Sequence, residues 1–181
     1  MTSTAAVPTT WNIDPTHSLV EFSVKHMMIT TVKGRFGAVS GWISLDPAAP
    51  RVEASIDVTS IDTRTEQRDQ HLRSPDFFDV AKYPAIAFTS RRIDGRFAKA
   101  GDEFRIVGDL TIKGIAREVT LNAVFEGEGK DPWGGSRVSF SAITKINRHE
   151  FGLEWNQTLE TGGVLVSAEV KISLEIQAIQ A

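Results

Sequence analysis

The 181-residue sequence contains no cysteine. Disulfides, thiol nucleophiles and cysteine-ligated metals are excluded together, and the absence fits a reducing compartment. No run approaches the roughly 20 consecutive apolar residues that a membrane-spanning helix needs. There is no nucleophile elbow, no zinc-protease helix motif, no phosphate-binding loop and no dinucleotide fingerprint, so no short signature names a reaction. A formal net charge of −3 gives no electrostatic case for nucleic acid or an anionic membrane surface. The first ten residues, MTSTAAVPTT, have neither the basic nor the apolar region of a secretory signal. They are expected to be a disordered leader, residues 1–10, ahead of one domain over 11–181 in a cytoplasmic protein.

What the sequence has is alternation of apolar and polar residues with period two, the mark of strands with one buried face. Val20, Phe22 and Val24 alternate with Glu21, Ser23 and Lys25. Val52, Ala54, Ile56 and Val58 continue the pattern, as do Phe104, Ile106, Leu110 and Ile112. Val119, Leu121, Ala123 and Phe125 follow with shifted parity, as a hairpin around Lys113 to Ala116 requires. The last segment places Val164, Val166, Ala168, Val170, Ile172, Leu174, Ile176 and Ala178 on one face.

Segments near 17–26, 31–45, 51–58, 84–92, 104–113, 117–127, 136–146 and 163–179 predict an all-β chain of about eight antiparallel strands. Long strands with one apolar face and no partner helices imply a sheet closed into a barrel. A barrel of that size either fills with side chains or holds a small ligand. Small residues at inward positions, namely Gly34, Ala38, Ala54, Gly108, Ala123, Ala142 and Ala168, favour a hollow one. The alternative is a filled barrel in which they accommodate crowded strand crossings. A hollow interior would be walled by Val20, Phe22, Val24 and Phe36, by Ile56, Ile86, Phe88 and Leu110, and by Phe125, Phe140, Val166, Ala168, Val170 and Ile172.

The stretch between Val58 and Pro84 is too long for a hairpin loop. Glu66 to Leu72 reads as a short polar helix, and Ser74-Pro75-Asp76 reads as a helix start with serine as N-cap and proline at the first position. Leu72, Phe77 and Phe78 are expected to fold over an open barrel end as a lid. Arg68 and His71 on this segment, joined by Arg148, are candidates to hold a polar or phosphorylated head group, with His17 a further candidate. The four histidines, His17, His26, His71 and His149, lack the spacing of a metal site, and no metal or other cofactor is expected.

Particular residues resemble a known family. Trp11-x-Ile13-Asp14-Pro15-x-His17-Ser18, Phe22-x-Val24-x-His26 and Val32-x-Gly34-x-Phe36 are similar to the opening of the YceI-like, polyisoprenoid-binding family. Arg68-Asp69-x-His71-Leu72-Arg73-Ser74-x-Asp76-Phe77-Phe78-Asp79 and Tyr83-Pro84-x-Ile86-x-Phe88-x-Ser90 match it most specifically. Gly108-x-Leu110-Thr111-Ile112-Lys113-Gly114, Ile146-Asn147-Arg148 and Phe151-Gly152-Leu153 look like its later blocks. The resemblance implies a lipocalin-like barrel with an apolar tunnel, a bound isoprenoid lipid such as a polyprenyl phosphate or isoprenoid quinone, and a possible homodimer. The apolar barrel lined by small residues, with its aromatic lid, points to a non-enzymatic carrier or store, with neither nucleic acid nor stable membrane insertion expected. A fatty-acyl carrier, or an enzyme acting on a hydrophobic substrate, is the alternative.

Overall fold

The computed structural model of the chain describes residues 10–181, and its strands form one antiparallel sheet closed on itself. The strands are β1 (Thr10–Ile13), β2 (Leu19–His26), β3 (Thr30–Phe36), β4 (Val39–Ser44), β5 (Arg51–Asp57), β6 (Ile61–Asp62), β7 (Ala85–Gly95), β8 (Glu103–Ile112), β9 (Ile115–Lys130), β10 (Ser136–Asn147) and β11 (Val166–Gln180). One α-helix, α1 (Glu66–Arg73), lies between β6 and β7. No helix among the described residues is long and apolar enough to cross a membrane.

These strands make eight passes of the chain, because three passes are broken in the middle. β1 continues into β2 through a 3-10 turn at Pro15–His17, β3 into β4 across residues 37–38, and β5 into β6 through a 3-10 turn at Val58–Ser60. Both halves keep the same neighbours: β4 lies between β1 and β5, while β3 lies between β2 and β6. Each pass pairs with the next, and β11 returns to β1 with Trp11 opposite Gln180 and Ile13 opposite Ala178. Closure removes the unpaired edges that an open sheet would expose. The expected all-β, eight-stranded barrel is therefore observed.

Two of the breaks, and the end of β10, share a local cause. The Asp14 side chain accepts a hydrogen bond from Thr16 N at 2.9 Å, Asp57 from Thr59 N at 2.9 Å, and Asn147 from His149 N at 3.0 Å. A short polar side chain that bonds the backbone two residues on turns the chain out of the ladder. The last of the three opens a 3-10 turn at Arg148–Phe151, after β10.

Several boundaries differ from expectation. Of the leader expected over residues 1–10, residues 1–9 lie outside the described residues, and Thr10 is already in β1. The expected strand 31–45 is broken at Gly37–Ala38, and Ala38 is exposed there rather than inward. Ser74-Pro75-Asp76 does not start a helix. Ser74 instead caps the C-terminus of α1, its N–H donating to His71 O at 3.1 Å, and residues 75–78 continue as turns.

Because the passes alternate in direction, the connections gather at two ends. The β2–β3 turn, the α1 segment, the β8–β9 turn and residues 148–165 share one end, the lid end. The β4–β5, β7–β8 and β9–β10 turns share the other, the rim end.

Candidate binding cavity

Alternation along each strand sends one set of side chains inward, and that set leaves a cavity along the barrel. Leu45, Pro50 and Phe97 bound it at the rim end, and Leu72, Phe77 and Leu153 at the lid end. It offers about 230 Å³ to the centres of water-sized molecules. Its wall is apolar almost throughout. Glu21 and Arg148 are the ionisable residues on it, and Glu21 is exposed.

Two glycines explain why large rings leave space between them. A Cβ at Gly34 would stand 2.3 Å from Cζ of Phe22, and one at Gly108 would stand 2.6 Å from Cζ of Phe88. Both rings therefore lie against glycine backbone on neighbouring strands, as the pairs Phe22–Gly34 (β2–β3) and Phe88–Leu110 (β7–β8) place them. The small residues thus do not each add a void. Gly34 and Gly108 are seats for aromatic rings, whereas Ala54, Ala123 and Ala142 stand on the cavity wall itself.

Of the wall residues expected from alternation, all but Phe125 and Ala168 line the cavity. Phe125 is buried but packs beside Phe140, with ring centroids 5.3 Å apart, where the β9–β10 register shifts between Ser139 and Phe140. Ala168 falls in the register shift of β11 against β2, between Val166 and Val170, which removes it from the regular alternation. Strict period two holds only where the ladder is unbroken. At the rim Val52 follows the alternation, whereas Leu45, Pro50, Ile93 and Phe97 lie outside the segments' expected inward set, Leu45 and Phe97 being isolated apolar residues beside turns.

The lid is tied down by a polar knot. Thr63 N and Oγ1 donate to buried Asp69 Oδ1 at 2.8 and 2.6 Å, while Arg68 donates from Nε to Thr63 Oγ1 at 2.8 Å and from Nη2 to Thr63 O at 2.7 Å. Phe78 then meets Phe36 edge-on at 6.0 Å, and Phe77 and His71 pack against Trp155 at 5.4 and 4.8 Å.

The four expected head-group residues do not form one cluster. His17 lies in the turn between β1 and β2, its Nδ1 2.8 Å from Asp14 Oδ2, in a group that includes Arg137 near the rim end. Arg68 is spent on Thr63 and is not on the cavity wall. His71 is paired with Asp76 at 2.8 Å and is likewise off the wall. Arg148 alone of the four lines the cavity, and it is 3% exposed.

Arg148 donates to four main-chain carbonyls: from Nε to Ser167 O at 2.8 Å, from Nη1 to Leu153 O at 2.6 Å and Trp155 O at 2.9 Å, and from Nη2 to Val166 O at 3.2 Å. Burial lowers its pKa from the usual arginine value. At the rim end Arg137 has different partners. Its Nη1 donates to Asp14 Oδ2 at 2.8 Å and its Nε to Asp131 Oδ2 at 2.9 Å. Hydrogen bonds from His17 and Arg137 hold the Asp14 carboxyl well below the usual range, and those from Arg137 and Gly135 N lower Asp131. Within the cavity, no two titratable side chains of the wall are hydrogen-bonded to each other. The arrangement suits enclosing an apolar chain.

Comparison with known proteins gives concordant results. The YceI-like domain matches residues 11–178. A Staphylococcus aureus protein described as a UPF0312 protein is 40% identical over 168 residues, covering 90% of this chain and 93% of that protein. Burkholderia cenocepacia BcnA superposes with a TM-score of 0.76 at 26% identity, covering 91% of this chain and 98% of BcnA. A polyisoprenoid-binding domain from Saccharophagus degradans superposes with a TM-score of 0.72 at 15% identity, covering 96% and 99%, a likeness of fold.

Proposed function

The chain belongs to the YceI-like family, and from that premise we propose that it binds one long isoprenoid chain inside the barrel and carries or stores it unchanged. The observation that carries this reading is the apolar cavity running from Phe97 at the rim to Phe77 under the lid. Each buried methylene gains ~0.8 kcal/mol, so an isoprene unit gains roughly 3–4 kcal/mol gross. Ordering a flexible chain offsets much of this, yet several units in series still give firm retention. The Saccharophagus degradans domain, described as binding polyisoprenoids, supports the ligand class. A wall without paired acid and base groups supports carriage over catalysis.

Mass spectrometry of a solvent extract of the purified protein tests the reading, and a stoichiometric isoprenoid lipid is expected. An empty extract, together with no rise in melting temperature on adding geranylgeraniol to the stripped protein, would overturn it. A stoichiometric fatty acid would transfer the same cavity to acyl chains.

A further inference from the structure

We propose that the lid-end half of the outer wall formed by β10, β11, β2 and β3 is a docking surface for an anionic lipid bilayer, with the Met27-Met28-Ile29 turn as its apolar tip. This goes beyond what the cavity holds and assigns the side on which the barrel meets a membrane.

The first observation is a row of lysines. Lys145 on β10 stands directly opposite Lys171 on β11, Lys171 opposite Ser23 on β2, and Ser23 opposite Lys33 on β3. Directly opposed residues share a face, so the row crosses four strands on the outside of the barrel, a span of about 14 Å. Lys25, two residues nearer the turn on the same face, adds a fourth exposed cation. Among the described residues Lys25, Lys33 and Lys171 have no ion-pair partner, and Lys145 has only Glu169, at 3.9 Å. Toward the rim the excess ends, where Glu21 stands opposite Arg35. The far wall is built differently, since its exposed Arg51, Arg91 and Arg92 are each paired with a carboxylate. Like charges directly opposite destabilise a sheet, so the Lys145–Lys171 pair does not serve the fold. The net charge of −3 for the whole chain conceals this local excess.

The second observation is the turn that joins β2 to β3. Ile29 N donates to His26 O at 3.2 Å, and Met27 and Met28 between them have φ of 52° and 63°. Two positive φ values in succession suit asparagine and glycine, not long side chains. Met27, Met28 and Ile29 are nevertheless 43%, 62% and 75% exposed. Val164 is exposed beside them, on the segment whose Leu165 O accepts from Met27 N at 2.8 Å. Neither backbone geometry nor packing calls for methionine here, whereas its flexible chain adapts to irregular apolar surroundings.

An apolar tip beside a basic face is the combination that binds a bilayer interface: the tip enters the acyl boundary while lysines meet anionic head groups. A soluble polyanion would use the lysines alone and leave Met27, Met28 and Ile29 in water. The 148–165 segment brings Glu150, Glu154 and Glu160 to the lid end, so the barrel leans onto the β2–β3 side rather than standing on that whole end. Docked in this way, the membrane lies next to Val24 and Val166, which wall the cavity close to the tip.

The test uses full-length protein and vesicles of phosphatidylcholine, alone or mixed with phosphatidylglycerol, read by flotation. Binding to the mixed vesicles is expected, weakening with added salt, and at least about tenfold weaker binding to phosphatidylcholine alone. Lys33→Ser, Lys145→Ser and Lys171→Ser combined are expected to weaken binding to the mixed vesicles about tenfold without lowering the melting temperature. Met27→Asn with Met28→Gly supplies the residues such a turn favours, so it is expected to fold at least as stably and to bind about tenfold more weakly. No binding to either vesicle, equal binding to both, or unchanged binding by either variant overturns the proposal. A DNA duplex bound as tightly as the mixed vesicles, and indifferent to the methionine changes, assigns the face to a soluble polyanion and overturns it. A dimer in sedimentation that the methionine changes dissolve assigns the tip to a second copy, with the same consequence. Lipid in the solvent extract is measured separately, so the cavity reading and this one fail independently.

Discussion

Arg137 and Arg148 sit at opposite ends of one barrel and satisfy their charge in opposite ways. Arg137 is 21% exposed in its side chain and lies between two carboxylates, Asp14 and Asp131. Arg148 is deeply buried and has only carbonyls. Ion pairing spends a positive charge inside the fold, so Arg137 ties β1, β10 and the β9–β10 turn together and offers nothing to a ligand. Carbonyl dipoles hold a guanidinium in place without cancelling it. The lesson is that a buried arginine is read by its partners' charge, not by how many hydrogen bonds it makes.

The comparison breaks most completely if the space between the two ends is filled. Val170→Trp, on the cavity wall, is expected to abolish lipid retention while leaving β content intact by circular dichroism. Ala168→Trp, off the wall, is expected to retain lipid. Next in size is Arg148→Leu. It strands several buried carbonyls at once, and denaturant titration should show a loss on the order of 3 kcal/mol or more. Arg137→Leu is expected to lower the melting temperature by only a few degrees, with added salt shrinking the difference from wild type.

The smallest effect is in acid. The Asp14 and Asp131 carboxyls are lowered by folding, so their contribution is complete above the unfolded carboxylate pKa of about 4 and is lost as pH falls below it. Melting temperature should therefore decline below about pH 4, and Asp14→Asn should flatten that decline. Arg148→Leu should leave its slope unchanged, because an arginine charge does not titrate there.

The barrel was legible in the sequence because its signal is repeated: each pass restates the same period, and the turns interrupt it cleanly. The broken passes were not, since an Asx turn such as Asp57-Val58-Thr59 interrupts a strand without a change in hydrophobicity. β1, with four residues, is too short to display a period. The lid was legible from apolar Leu72, Phe77 and Phe78 in a connection, but the tie among Thr63, Arg68 and Asp69 was not. Whether an exposed-looking arginine turns to a threonine, as Arg68 does, or to the main-chain carbonyls of a later segment, as Arg148 does, depends on the fold around it. Arg137 joins Asp14 across a separation of 123 residues, and no local pattern announces such a pair.

Closure by Trp11 and Gln180 fixes when the interior can exist at all. β1 and β11 are the first and last strands of the barrel in sequence order, so until they pair the sheet stays open along one side and its apolar face is unenclosed. Such a topology has high contact order, and chains of that kind fold slowly and expose unpaired edges while they wait. The open trough is also a stage at which a lipid could be enclosed by the final strand instead of threaded through a finished wall.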